Sequence, residues 1–90
     1  MSEGDLERVY AAITPDIAEV LHLLAKRYNR PEIAEETGFN LSTVRNYIER
    51  MEDQAKLGQR ELRDWWNACE PDYLRWLARQ LEIDPGALAP

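Results

Sequence analysis

The sequence predicts an all-α protein, and three features of the chain indicate this. Apolar residues recur three and four positions apart along most of the chain, as they do on one face of an α-helix. No stretch alternates apolar and polar residues over the length of a strand, and β-branched residues are sparse. Proline and glycine fall between the periodic stretches, where they separate helices. With 90 residues, we expect one small domain with a modest core.

Two helices are predicted before residue 30. A short helix at 5–12 has an apolar side made of Leu6, Val9, Tyr10 and Ile13. Thr14 and Pro15 then signal a new helix, because threonine caps free N–H groups and proline suits the first helical position. This second helix runs to about residue 28. Its inward positions are Ile17, Val20, Leu21 and Leu24.

The next two helices have the spacing of a helix-turn-helix. Pro31 starts the first, and Gly38 ends it as a left-handed cap residue. The second runs over 41–57, with the Asn40 side chain as its cap and Gly58 at its end. Its inward face is predicted to consist of Val44, Ile48, Met51 and Ala55. The residues left to face a partner are Thr43, Arg45, Asn46, Tyr47, Glu49 and Arg50.

The C-terminal part is predicted as two short helices. One covers 60–68, Glu70 and Pro71 break it, and the other covers 72–82. Residues 83–90 are expected to form an extended or frayed tail. Trp65 and Trp66 point about 100° apart on a helix. One ring is therefore expected to pack inward, and the other to meet the last helix or a second subunit.

Composition argues against several classes of protein. No apolar run approaches membrane-spanning length and no signal peptide is recognisable, so we expect a cytoplasmic protein that does not enter the membrane. Cys69 is the only cysteine and His22 the only histidine. A disulfide, a metal site and a nucleophile–base pair are therefore not expected within the chain. We expect no enzyme activity and no cofactor, with Cys69 and His22 as packing or surface residues.

Residues 13–66 resemble the LuxR (GerE-type) helix-turn-helix domain of bacterial transcription regulators. Ile13, Thr14 and Pro15 stand where that family has Leu-Thr-Pro, and Gly38 stands at its turn glycine. Two further matches are Glu32, Ile33 and Ala34 to its Glu-Ile-Ala, and Thr43, Val44, Arg45 and Asn46 to its recognition helix. Lys56, Leu57 and Gly58 resemble the end of that family's recognition helix. Glu61 and Leu62 resemble the start of its fourth helix. Departures are Ser42, where lysine is frequent, Tyr47, where histidine is, and Glu49, where a basic or small residue is common.

The resemblance implies a four-helix core at 13–66. Residues 1–12 are predicted as a helical extension outside this core, and residues 67–90, which have no counterpart in the minimal domain, as an added helix and tail that form a candidate dimerisation element. The resemblance also implies a transcription regulator that binds double-stranded DNA through the 41–57 helix. Because 90 residues leave no room for a regulatory domain as well, we expect a stand-alone regulator. The implied base-contacting residues are Arg45, Asn46 and Glu49. The implied phosphate-contacting residues are Thr43, Tyr47 and Arg50, to which the basic cluster at the end of the second helix adds Lys26 and Arg30. A homodimer is expected through Leu62, Trp65, Trp66 and Trp76.

The net charge of −6 conflicts with this interpretation. DNA-binding proteins gain much of their affinity from lysine and arginine that neutralise phosphates. An alternative is therefore an acidic helix-turn-helix module that binds RNA polymerase, a sigma factor or another regulator. The fourth region of sigma factors has a similar helix-turn-helix, but its basic character is missing here.

Overall fold

The computed structural model describes residues 3–81, which form five α-helices. These are α1 (Glu3–Ala11), α2 (Pro15–Ala25), α3 (Arg30–Thr37), α4 (Leu41–Ala55) and α5 (Gln59–Leu81). No strand occurs in this part of the chain, which confirms the all-α prediction. The predicted tail at 83–90 and residue 82 of the predicted last helix lie outside the described residues.

The core forms around α2, which packs against α3, α4 and α5. All four predicted inward residues of α2 are buried, as are the four of α4. From α1 and the residues after it, Val9, Tyr10 and Ile13 join the same cluster, whereas Leu6 is only partly buried. Each large apolar side chain that is fully buried contributes about 1.5–3 kcal/mol relative to exposure. The helical periodicity of the sequence therefore identified the core correctly.

The ends of α2 and α3 are set by local hydrogen bonds. Thr14 caps α2 as predicted, because its Oγ1 accepts the N–H of Ile17 at 3.3 Å. This helix ends at Ala25 rather than near residue 28, because Arg27 takes a left-handed backbone with φ 71°. At the start of α3, Asn29 Oδ1 accepts the N–H of Glu32 at 2.9 Å, and Glu32 Oε1 accepts the N–H of Asn29 at 3.0 Å. This reciprocal capping box starts α3 at Arg30, one residue earlier than predicted.

The turn between α3 and α4 consists of residues 38–40. Gly38 has φ 81° and donates its N–H to the Ala34 carbonyl at 2.9 Å, as expected of a left-handed cap residue. Asn40 occupies the N-cap position of α4, but its side chain makes no capping hydrogen bond, so that part of the prediction is wrong. Only its carbonyl takes part, accepting the N–H of Val44 at 3.0 Å.

The end of α4 also differs from the prediction. It ends at Ala55, because Lys56 adopts a left-handed backbone with φ 59° and donates its N–H to the Glu52 carbonyl. Gly58, predicted to end this helix, instead stands at the start of α5. Its carbonyl accepts the N–H of Leu62 at 2.8 Å.

The predicted break at Glu70 and Pro71 is wrong, because α5 is one helix of 23 residues with Pro71 inside it. A proline within a helix costs about 3 kcal/mol, since it lacks an N–H and its ring crowds the preceding turn. On either side of Pro71, however, Trp66 and Tyr73 are each only 1% exposed, in the same core. The burial of two large rings outweighs the cost of one proline. Tertiary packing therefore keeps the helix continuous.

Candidate nucleic-acid interface

The exposed face of α4 is positioned by its fully buried opposite face. Val44, Ile48 and Met51 are each 0% exposed and Ala55 is 3% exposed, so the helix cannot rotate about its axis without disrupting the core. The geometry of an α-helix then directs Asn46 and Asp53 almost directly away from the core. Arg45 and Arg50 lie on either side of the direction that points away from the core.

The three predicted base-contacting residues lie together on this surface. Arg45, Asn46 and Glu49 are all exposed. None of their side chains makes a hydrogen bond or an ion pair with another residue of the described part of the chain. Arg45 and Glu49 have the four-residue spacing that often supports an ion pair on a helix, yet they do not form one. All three polar groups are therefore available to an external partner.

The predicted phosphate-contacting residues are less uniform. Arg50 and Lys26 are exposed, whereas Thr43, Tyr47 and Arg30 are half-buried. The ring of Tyr47 packs edge-on against Phe39 of the α3–α4 turn, with their centroids 6.1 Å apart. Arg30 has its Nε buried without a hydrogen-bond partner. Part of each of these side chains therefore packs within the fold.

The N-terminus of α3 offers little to a phosphate. Free N–H groups at a helix start commonly bind anions. Here Pro31 has no N–H, and the N–H of Glu32 is bonded to the Asn29 side chain. The carboxylate of Glu32 also lies at this helix end. An approaching phosphate would therefore meet a capped and acidic terminus.

The charge around α4 is mixed and mostly negative. On α4, Arg45 and Arg50 accompany three carboxylates, which are Glu49, Glu52 and Asp53. On α3 the exposed carboxylates are Glu32, Glu35 and Glu36. The basic residues Lys26 and Arg27 are both exposed in the connection that follows α2. The positive charge is therefore concentrated at a few positions rather than spread over a basic surface.

The residues predicted for a dimer interface are largely internal. Leu62 is 0% exposed and Trp66 is 1% exposed, so these two belong to the core and offer no surface to a second subunit in this fold. Trp65 and Trp76 are half-buried, and both rings pack on Tyr10 of α1, at centroid distances of 6.4 and 5.8 Å. As predicted, one tryptophan, Trp66, packs inward and its neighbour Trp65 is more exposed. The cover that α1 provides for part of Trp65 was not predicted.

Two polar contacts that the sequence did not predict tie α5 to the first two helices. His22 Nδ1 lies 2.8 Å from Glu70 Oε2, and Trp66 Nε1 donates to the same oxygen at 3.1 Å. Tyr10 donates its hydroxyl proton to Asp72 Oδ2 at 2.9 Å. These partners are 48 and 62 residues apart, so no local pattern could have paired them. His22 is therefore a half-buried packing residue with a specific partner.

Cys69 lies beside Tyr10 in this region. Burial raises the pKa of its thiol above the usual value, and the carboxylate of Asp72 raises it further, against a hydrogen bond with Tyr10 that lowers it. A thiol with a raised pKa stays protonated at neutral pH and is a poor nucleophile. Its surroundings therefore do not activate it.

A concavity of about 520 Å³ is lined by none of the three base-contact candidates. Its lining comes from α1, the end of α4 and α5, including Arg8, Lys56 and Trp65. Within residues 3–81, no group of three histidine, cysteine or acidic side chains is placed to hold a metal ion. No helix described here combines the length and apolar character that a membrane span requires.

Comparison with protein-family models, curated proteins and solved structures found no match to this chain. The resemblance to the LuxR-type domain therefore rests on the matched residues of the sequence, and the interface described here is a candidate defined by its own geometry.

Proposed function

We propose that this chain is a regulator of transcription that binds double-stranded DNA by placing α4 in the major groove. One observation carries the proposal. Arg45, Asn46 and Glu49 are exposed, and their side chains make no hydrogen bond or ion pair within residues 3–81, on the outward face of a helix whose other face is completely buried. The three-residue turn from α3 and the match to the recognition helix of LuxR-type domains also support it.

The chemistry of these side chains suits the edges of base pairs. Arginine can donate two hydrogen bonds to guanine. Asparagine can make two hydrogen bonds to adenine, one through the oxygen and one through the nitrogen of its side-chain amide. An α-helix fits the major groove, and the 15 residues of α4 span about 22 Å. Phosphate contacts by Arg50, Lys26, Arg30, Thr43 and Tyr47 would fix the orientation of the helix.

A homodimer remains part of the proposal. One recognition helix reads few base pairs, and proteins of this type commonly bind paired half-sites as dimers. The surfaces available for pairing on α5 are the exposed parts of Trp65 and Trp76, together with Leu81, whose side chain is 55% exposed. The proposed setting is the bacterial cytoplasm, where the chromosome lies, and no catalytic residue or cofactor is assigned.

The test is an Arg45→Ala and Asn46→Ala double variant, compared with Asn67→Ala and Arg75→Ala. The control removes the same two residue types from exposed positions of α5. DNA selected from a library of genomic fragments is titrated at low salt. Each lost bidentate contact weakens specific binding by about 1–3 kcal/mol, whereas the control should bind like the wild type. The proposal fails if the wild type binds no fragment, or if both double variants bind equally well.

A protein-interaction module is the second candidate, supported by the carboxylates of Glu49 and Asp53 on the same face as Arg45. The partner would be RNA polymerase, a sigma factor or another regulator. Against this, the exposed positions of α4 include no apolar side chain, whereas protein interfaces usually have an apolar centre. The test is retention of RNA polymerase on the immobilised protein. The module would be favoured if the wild type retains the polymerase but binds no DNA, and if the Arg45 and Asn46 double variant does not retain the polymerase.

A further inference from the structure

The exposed side chains of α4 form two flanks that run along the length of the helix. Successive residues of an α-helix are separated by 100°, and the buried positions fix the direction of the core. On one flank lie Arg45, Glu49 and Glu52, and on the other lie Thr43, Tyr47 and Arg50, with Asn46 between them. The strongest acceptor and the strongest donor among the base-contact candidates therefore share one flank.

Arg45 and Glu49 lie about 6 Å apart along the helix axis, because they are one turn apart. This rise corresponds to between one and two base-pair steps of DNA. Both side chains are exposed and neither is engaged by the other or by another described residue. Each can therefore address a separate base without first breaking an ion pair.

The two groups require opposite features of DNA. The guanidinium of Arg45 only donates, and it fits the two acceptors of guanine. The carboxylate of Glu49 only accepts, so it needs an amino group, which cytosine presents in the major groove. A carboxylate placed against a base acceptor or a phosphate is repelled. Glu49 therefore excludes more DNA sequences than it favours.

The rest of the surface contributes little attraction to the DNA backbone. The cations proposed for phosphate contact are Lys26, Arg30 and Arg50, and Arg30 is half-buried. The start of α3 is closed by its capping box, and the chain has a net charge of −6. Non-specific DNA binding depends almost entirely on phosphate neutralisation. Such binding should be weak here, so that affinity depends on base contacts.

We infer that Glu49 is a specificity-determining residue, which requires a cytosine within two base pairs of the guanine read by Arg45 and suppresses binding to other DNA. This inference rests on the proposed DNA-binding function. It assigns the acidic character of α4 a role in discrimination, rather than treating it as an obstacle to DNA binding.

The experiment compares Glu49→Gln with Glu7→Gln by selection from a random duplex library. Both changes remove one negative charge from an exposed position, but Glu7 lies on α1. With Glu49→Gln, the preference for cytosine at one position should fall by about tenfold. Binding to unrelated duplex should strengthen by about two- to fivefold. Glu7→Gln should retain the wild-type preference.

Two outcomes separate this inference from the function on which it rests. If the wild type binds DNA selectively but Glu49→Gln keeps the same sequence preference, the inference is overturned and DNA binding stands. If the wild type selects no sequence at all, both the inference about Glu49 and the proposed DNA-binding function are contradicted. Three phosphate-contacting cations predict a slope of log affinity against log salt of about −3 per subunit. A much steeper slope would contradict weak backbone attraction.

Discussion

At the scale of single residues, backbone conformation decided where helices end. Gly58 was the obvious terminator of α4 in the sequence, yet the left-handed residue is Lys56, with φ 59°. A lysine in this conformation is strained, because its Cβ crowds the following carbonyl. No local sequence signal marks this position, since any residue can be driven into the left-handed region when its neighbours pack well. The same holds for Arg27 at the end of α2, with φ 71°.

Replacing Lys56 by glycine should therefore stabilise the protein. Glycine adopts positive φ at no steric cost, so Lys56→Gly should raise the free energy of unfolding by up to about 1 kcal/mol. The matched control is Lys26→Gly, where φ is −82° and the change should lower stability by about 0.5–1 kcal/mol. Urea denaturation followed by circular dichroism measures both. A loss of stability in both variants would show that no strain resides at Lys56.

At the scale of elements, α5 shows tertiary contacts overriding a local signal. The sequence placed a break at Glu70 and Pro71, and by local propensity this was reasonable. Glu70 instead accepts hydrogen bonds from His22 and Trp66. Three residues further on, Tyr73 donates its hydroxyl proton to the Ile13 carbonyl at 3.0 Å. These contacts hold both halves of the helix against the same core. The Thr14 cap of α2 and the Gly38 cap at the end of α3 were predicted correctly, whereas the Asn29 capping box at the start of α3 was not predicted.

Pro71→Ala should stabilise the protein without changing the fold. Alanine restores an N–H to the helix and removes the crowding of the ring, so we expect a gain of about 1 kcal/mol or more in the free energy of unfolding. The control, Pro15→Ala, changes a proline at a first helical position, where proline is favourable, and should be neutral or slightly destabilising. Denaturant unfolding distinguishes the two. A destabilised Pro71→Ala variant would mean that the proline fits α5 better than alanine does.

At the scale of the whole molecule, two tyrosine hydroxyls connect the N-terminal part of the chain to α5. Tyr10 bonds Asp72, and Tyr73 bonds the Ile13 carbonyl. Burial raises the pKa of both phenols above their usual value, and the hydrogen bond to Asp72 raises that of Tyr10 further. A raised pKa in the folded state means that folding favours the protonated phenol. The stability they contribute is complete below about pH 10 and is lost as pH rises above it.

The protein should therefore lose stability as the pH rises above about 10, and Tyr73→Phe should reduce that loss. The variant keeps the ring but removes one ionisable group. At pH 7 it should be less stable by about 1–3 kcal/mol, because the Ile13 carbonyl loses its partner. Tyr28→Phe is the control, since Tyr28 makes no hydrogen bond through its hydroxyl among residues 3–81. Urea unfolding at a series of pH values tests this. The prediction would be contradicted if the free energy of unfolding depended on pH in the same way for the wild type, Tyr73→Phe and Tyr28→Phe.

Local patterns in the sequence predicted the helical class, the buried faces of α2 and α4, the Thr14 cap that starts α2, the Gly38 cap that ends α3 and the candidate residues on the outside of α4. These follow from interactions within four residues along the chain, which periodicity and capping chemistry express directly. Tertiary contacts, by contrast, made α5 continuous, placed Leu62 and Trp66 in the core, and paired His22 with Glu70 and Tyr10 with Asp72. Those outcomes depend on residues brought together from distant parts of the chain, and on burial energies large enough to outweigh the cost of a proline or a left-handed lysine.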